Sequence, residues 1–308
     1  MPTQSCIRIG TRASALARWQ AEWTADRLQD IGIEPELILI TTEGDVKSGP
    51  IGEIGGQGLF TKRIQQALLA NEIDLAVHSL KDLPTDVVAG LTLAAVPKRE
   101  IVNDVLVSNK YESLTELPNG VIVGTGSLRR RAQLLHHRPD LNIKEIRGNV
   151  DTRLRKLDDG EFDAIVLAQA GLTRLGLDNR IAQVLPSETM LPAIGQGALG
   201  LECREGDKGT IEMLQNLNDH ETHCSVVAER SLLAHLRGGC LAPIGAWCRT
   251  ENDQLLLEAV VLNADGTRRL EARQLASLNE AYQLGKQVAE QLLEQGAADL
   301  INASRQGK

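Results

Sequence analysis

No apolar run in this 308-residue sequence approaches the roughly 18 residues needed to span a bilayer. The stretch from Met1 to Thr11 has no basic region followed by an apolar core and a small-residue cleavage site, so the chain is expected to stay in the cytoplasm. Cysteine is sparse. Cys6, Cys203, Cys224, Cys240 and Cys248 are odd in number and scattered, which argues against a disulfide framework and fits a reducing compartment. Aromatic residues make up only 2% of the chain. Low-complexity tracts and short-period repeats are absent. Positive charge is outweighed: a formal net charge of -8 lacks the extended cationic surface that nucleic acid or an anionic membrane requires, so neither is expected as a partner.

What the chain does contain is 42% hydrophobic residues, enough for real cores, and a length that accommodates about two domains. Apolar strand-like runs alternate with helical ones. "CIRIGT", "ELILITT" and "IDLAVHSL" read as strands around the helical stretches "ASALARWQAEWTADRLQDIG" and "GLFTKRIQQALLANE". After Pro97 the pattern restarts with "DVLVS", "GVIVGTG", "NIKEIRG" and "FDAIVLAQAG", separated by the helices "SLRRRAQLLHHR" and "VDTRLRKLDDG". Two α/β units with parallel or mixed sheets are implied. From about Asp219 the character changes to a helix, "ETHCSVVAERSLLAHL", a strand meander and a closing helix, a smaller α+β domain.

Between Gly124 and Lys156 nine basic residues stand against three acidic ones, a local cation excess that points to a small anionic ligand. Thr125 and Ser127 close a strand, and Ser127 can cap the next helix and leave backbone N–H groups facing an anion. Arg129 and Arg130 follow in its first turn; Arg147 and Arg153 lie near the end of the next strand and the start of the next helix. Several guanidinium groups in one cleft suit a polycarboxylate, whereas any single one reads as solvated surface charge. Asp82 sits in "HSLKDLP" beside Ser79 and Lys81, where a strand must turn. There a carboxylate can exchange protons or stabilise a cation, or simply close an Asx turn. In "LRGGCLAPIG", Gly238 and Gly239 offer positive φ and Pro243 removes a donor, which places Cys240 on an irregular loop that presents rather than packs its thiol.

The stretches "IGTRASALA", "GGQGLFTKRIQQALL", "DLAVHSLKDLP", "VGTGSLRRRAQL", "IRGNVDTRLRKL", "LAQAGLTRLGL", "MLPAIGQGALGLECR" and "LRGGCLAPIG", in this order, resemble the porphobilinogen deaminase family from about residue 7 to residue 250. The resemblance implies two α/β domains like type II periplasmic binding proteins with an active cleft between them, plus a smaller α+β C-terminal domain. It places domain 1 at residues 1–97 and 198–217, domain 2 at 98–197 and domain 3 at 218–308. It implies a monomeric transferase that joins four porphobilinogen molecules head to tail, loses ammonia each time, and releases hydroxymethylbilane. The cofactor implied is dipyrromethane, attached through Cys240 by a thioether. Asp82 matches the catalytic carboxylate that assists loss of ammonia and stabilises the resulting cation. Arg12, Ser14, Arg129, Arg130, Arg147, Arg153 and Arg174 match the residues that bind acidic side chains, supported by Ser79, Lys81, Thr125, Ser127 and Gln196, with Phe60 near the cofactor. No metal is implied. Glu53 and Gln57 depart from the family's pattern, which commonly has lysine at the second position.

Competing features have plainer explanations. His220 and His223 in "HETHC" start a helix without a second ligand pair and read as capping and packing groups. His78 reads as a satisfied strand-end histidine, and Cys6, Cys203, Cys224 and Cys248 as buried thiols. A non-catalytic bilobed binding module for a small polycarboxylate would account for the arginines but for neither Cys240 nor Asp82.

Overall fold

The computed structural model describes residues 6–41, 61–239 and 242–306; Glu53, Gln57, Phe60 and Cys240 lie outside them. The chain forms two compact units, residues 1–99 with 198–223 and residues 100–197 with 224–308.

In chain order, the first stretch holds β1 (Cys6–Thr11), α1 (Ala15–Asp30), β2 (Glu34–Leu39), α2 (Lys62–Leu69), β3 (Leu75–Ser79) and β4 (Leu91–Ala95). The second holds β5 (Asp104–Val107), β6 (Ile122–Gly124), α3 (Leu128–His137), β7 (Asn142–Lys144), α4 (Val150–Asp158), β8 (Ala164–Ala168), α5 (Gln169–Arg174) and β9 (Gln183–Val184). Then come β10 (Leu199–Arg204), α6 (Lys208–Leu214), α7 (His220–His235), β11 (Ile244–Glu251), β12 (Gln254–Leu262), β13 (Arg269–Ser277), α8 (Ala281–Glu294) and α9 (Ala297–Gln306).

The sheet of the first unit runs β2-β1-β3-β10-β4, and the larger sheet of the second runs β7-β6-β8-β5-β9. In each, three parallel strands are followed by one antiparallel strand inserted from elsewhere in the chain: β10 against β3 and β5 against β8. The two sheets therefore share one topology, that of the type II periplasmic-binding-protein fold that the family resemblance implies, and both are mixed. β3, β5, β8 and β10 are buried on both faces, which explains their near-continuous hydrophobic runs. Ile7, Ile9, Leu75 and Leu201 pack under α1 in the first unit, while Val105, Val107, Ile165 and Leu167 pack near α4 in the second.

The C-terminal part of the second unit is a three-stranded antiparallel sheet, β11-β12-β13, with its own core. Here the alternation of partly buried and exposed residues along β13 marks a sheet with one wet face. The glycine at position 285 in the middle of α8 has a packing cause: a Cβ there would lie 2.2 Å from the Ala228 carbonyl oxygen of α7.

The chain leaves α7 differently from what its glycines predict. The left-handed residue is Arg237, at φ 49°, while neither Gly238 nor Gly239 has a positive φ. Gly238 N–H donates to Leu233 O at 3.0 Å, closing the helix end. A Cβ at 238 would lie 2.5 Å from Ile244 Cδ1 and 2.7 Å from Leu233 Cδ1, so the ends of these two side chains would have to shift to admit one.

Candidate active-site groups

In the first unit, five residues singled out from the sequence sit at the carboxyl end of the parallel strands. Arg12 follows β1, Ser79 ends β3, and Lys81 and Asp82 lie in a short 3-10 turn, Leu80–Asp82. Ser14 is the N-cap of α1 and accepts from Ala17 N–H at 3.4 Å. Ser79 Oγ is joined to the Gln20 side-chain amide of α1 at 2.8 Å. The Asp82 carboxylate is exposed and has no hydrogen-bond or ion-pair partner among the described residues, so it does not close an Asx turn; the turn is held by Leu83 N–H on Leu80 O. A carboxylate held at a strand end and spent on nothing structural is available for proton transfer or for charge stabilisation.

In the second unit, Thr125 follows β6, Arg147 follows β7, and Arg174 lies in the short helix after β8. Because β5 is antiparallel to β8, with Asp104 opposite Ala168, the start of β5 comes to the same end of the sheet. Ser127 caps α3, accepting from Arg130 N–H at 3.4 Å, and its own N–H donates to Thr125 Oγ1 at 3.2 Å. Both hydroxyls keep an O–H to donate. Arg147 Nε donates to Glu145 at 2.8 Å, Arg153 Nε to Gly148 O at 2.8 Å, and Arg174 Nη2 to Gly197 O at 2.8 Å.

Arg129 and Arg130 are neither solvated nor simply open to a ligand. Both are buried against Asp104: Arg129 Nη1 meets Asp104 Oδ2 at 2.6 Å, and Arg130 Nε meets Oδ1 at 2.9 Å. Gln196 Nε2 adds a third contact at 3.0 Å. Burial alone would raise the Asp104 pKa; the charges of Arg129 and Arg130, with hydrogen bonds from Arg129 and Gln196, bring it down to about 2. Asp104 was not singled out from sequence. Its signal was an acid opening an otherwise wholly apolar strand, "DVLV".

The remaining features are structural. His78 Nε2 meets Glu202 at 2.8 Å with both side chains buried, and Glu202 also accepts from Gln65 at 2.9 Å. At the start of α7 the cap is Asp219, which accepts from Thr222 N–H at 2.9 Å; His223 instead contacts Asn218 at 2.9 Å. Among the described residues no three His, Cys, Asp or Glu side chains come together as a metal site. Cys203 and Cys248 are buried thiols, but Cys6 and Cys224 are only partly buried, a correction to the sequence reading. Cys6 opens β1 beside the exposed Glu34 of β2, and Cys224 lies in the second turn of α7 at the margin of the C-terminal core.

Residues 7–212 match the family described as porphobilinogen deaminase, dipyromethane cofactor binding domain, and residues 223–294 match porphobilinogen deaminase, C-terminal domain. The chain belongs to the porphobilinogen deaminase family. Its activity is that of a hydroxymethylbilane synthase, a transferase that assembles tetrapyrroles, and its cofactor is dipyrromethane. Similar solved structures include an ABC-transporter periplasmic substrate-binding protein from Coxiella burnetii, 16% identical with a TM-score of 0.45, covering 68% of this chain and 91% of that one. Immunogenic lipoprotein A from Vibrio vulnificus is 14% identical with a TM-score of 0.44, covering 70% of this chain and 96% of that one. No helix among the described residues of this family member is long and apolar enough to cross a membrane.

The residues at the second unit's sheet end fit a pyrrole bearing acidic side chains. Arg129 Nε is buried and has no hydrogen-bond partner among the described residues, leaving a charged donor for a carboxylate.

Proposed function

We propose that the chain joins four porphobilinogen molecules head to tail, releases ammonia at each addition and then releases hydroxymethylbilane. The match of both family domains along the chain carries this reading. When bound, dipyrromethane supplies the pyrrole carbon to which new units are joined. Cys240 would hold it by a thioether, with the side chains of Arg129, Arg147, Arg153 and Arg174 for its carboxylates and the hydroxyls of Thr125 and Ser127 as further donors. Arg130 and Gln196 support that set from within.

In the first unit, Asp82 stabilises the positive charge that develops as the substrate's aminomethyl carbon loses ammonia, and then takes a pyrrole proton. Arg12, Ser14, Ser79 and Lys81 bind the incoming acidic side chains there, and Phe60 would pack near the rings. The domain division proposed is 1–97 with 198–217, 98–197 and 218–308; the separate sheets and cores of the second unit support its last boundary. The sparse, scattered and odd-numbered cysteines of the sequence support a cytoplasmic setting, and the enzyme is proposed to act as a monomer.

Intact-mass measurement tests this. Freshly made active protein is expected to exceed its sequence mass by two linked pyrrole units, and Cys240→Ser to lack the increment. An unmodified native mass, or an adduct on another cysteine, would favour a binding module without chemistry.

A further inference from the structure

Arg129, Arg130 and Gln196, three residues matched to ligand binding, all converge on one carboxylate that is itself closed to solvent. Asp104 Oδ2 receives Arg129 Nη1 at 2.6 Å; Oδ1 receives Arg130 Nε at 2.9 Å, Arg130 Nη2 at 2.7 Å and Gln196 Nε2 at 3.0 Å. Arg130 is used up inside the protein, since its Nη1 donates to Val166 O at 2.9 Å. Arg129 is clamped at one end only: Nη1 also reaches Leu191 O at 2.7 Å, while Nε has no acceptor among the described residues.

A purely structural ion pair has little reason to take this form. One carboxylate against two guanidinium groups leaves an excess positive charge where water does not reach, and a buried donor without an acceptor is unfavourable as well. Both costs fall if an anion arrives at the open edge of Arg129. The orientation of that edge is set by what grips the other end, and Asp104 supplies the short charged contact there.

We propose that Asp104 is a positioning residue, which turns the Arg129 guanidinium so that its Nε–H is held toward a carboxylate of the bound pyrrole chain. This rests on the reading of Arg129 as a cofactor-binding residue. Asp104 acts through Arg129 and does not itself touch the ligand.

A thermodynamic cycle separates positioning from plain stabilisation. Four proteins are compared by intact mass and melting temperature: the parent, Cys240→Ser, Asp104→Asn and the double variant. Loading raises the melting temperature of the parent above that of Cys240→Ser, because the ligand binds only the folded state. With Asp104→Asn, the fraction carrying the two-pyrrole increment is expected to fall several-fold, and any loaded protein to lose at least half of the loading-dependent rise. Equal falls in melting temperature with and without cofactor, at unchanged loading, would show that Asp104 merely stabilises and would overturn the proposal. Should Asp104→Asn not fold, Asp104→Glu keeps the charge but shifts the carboxylate by one methylene: folded, underloaded protein is expected, and full loading would overturn the proposal. Failure of the underlying reading looks different: the parent then lacks the mass increment, or Cys240→Ser retains it, and the proposal falls with it.

Discussion

Glu229 of α7, fully buried, accepts the backbone N–H of Gly195 at 2.7 Å. Its other oxygen takes the Cys248 N–H of β11 at 2.9 Å, so one carboxylate ties the segment just before Gln196 to the C-terminal sheet. Glu229→Leu strands two buried backbone donors and is expected to cost roughly 3–5 kcal/mol. Glu229→Gln, which keeps one acceptor, is expected to cost less. Urea unfolding followed by Trp247 of β11 reads this locally, and a Leu variant as stable as the parent would remove Glu229 as the tie.

Asp82 is exposed and makes no bond that the fold needs, which separates its chemistry from its stability. Asp82→Asn is expected to lower turnover by orders of magnitude, to keep the cofactor mass increment, and to change stability by less than about 0.5 kcal/mol. Single-turnover assays and thermal melts check the two halves independently. Near-normal turnover would sink the proposed role.

The alternation of strand and helix was legible because the strands are short apolar runs bounded by turn residues, and the arrangement "VGTGSLRRR" announced both a strand end and the Ser127 cap. Side-chain fate was less legible. An arginine in a first helical turn reads as surface or ligand contact; that Arg129 and Arg130 are buried depends on Asp104, 25 and 26 residues away in sequence. Arg131 donates to Ile143 O and Arg138 to Leu114 O, so part of the local cation excess is spent on the protein's own carbonyls. The glycines of "LRGGC" suggested positive φ by residue type, but the helix end places that conformation one residue earlier. Long-range pairing and the point at which a helix stops are tertiary outcomes, weakly written in local composition.

Acid should weaken the first unit through Asp74. Burial pushes this carboxyl up, but hydrogen bonds from the Arg8 and Arg204 side chains and the Arg8 N–H bring it down to about 2. A carboxylate whose folded pKa is depressed contributes stability that is complete above its unfolded pKa, near 4, and is lost as pH falls toward 2. The contribution at neutral pH is on the order of 2 kcal/mol. Asp74→Asn is therefore expected to be less stable at pH 6 and to lose less on going from pH 4 to pH 3. Urea unfolding read by Trp19 and Trp23 of α1 tests this, and an unchanged acid slope would contradict it.

Arg237 carries a strain that one substitution can remove. It follows α7 at φ 49°, a conformation that costs a residue with a Cβ about 1 kcal/mol, and its side chain is exposed. Its backbone is already used for closure: its N–H donates to Ala234 O at 3.0 Å, the next residue's N–H donates to Leu233 O at 3.0 Å, and its carbonyl accepts from Arg305. None of these bonds needs the arginine side chain, so Arg237→Gly keeps them and relieves the strain, at the expense of a more flexible unfolded chain. The net expectation is a gain of up to about 1 kcal/mol, with unchanged cofactor loading, because the helix end stays where it is. Arg237→Val, β-branched and intolerant of this φ, should lose stability instead. Melting temperatures of the two variants, measured with intact-mass loading, decide the matter: a Gly variant less stable than the parent, or a Val variant equal to it, would mean that the left-handed turn is not what ends α7 ahead of the cysteine.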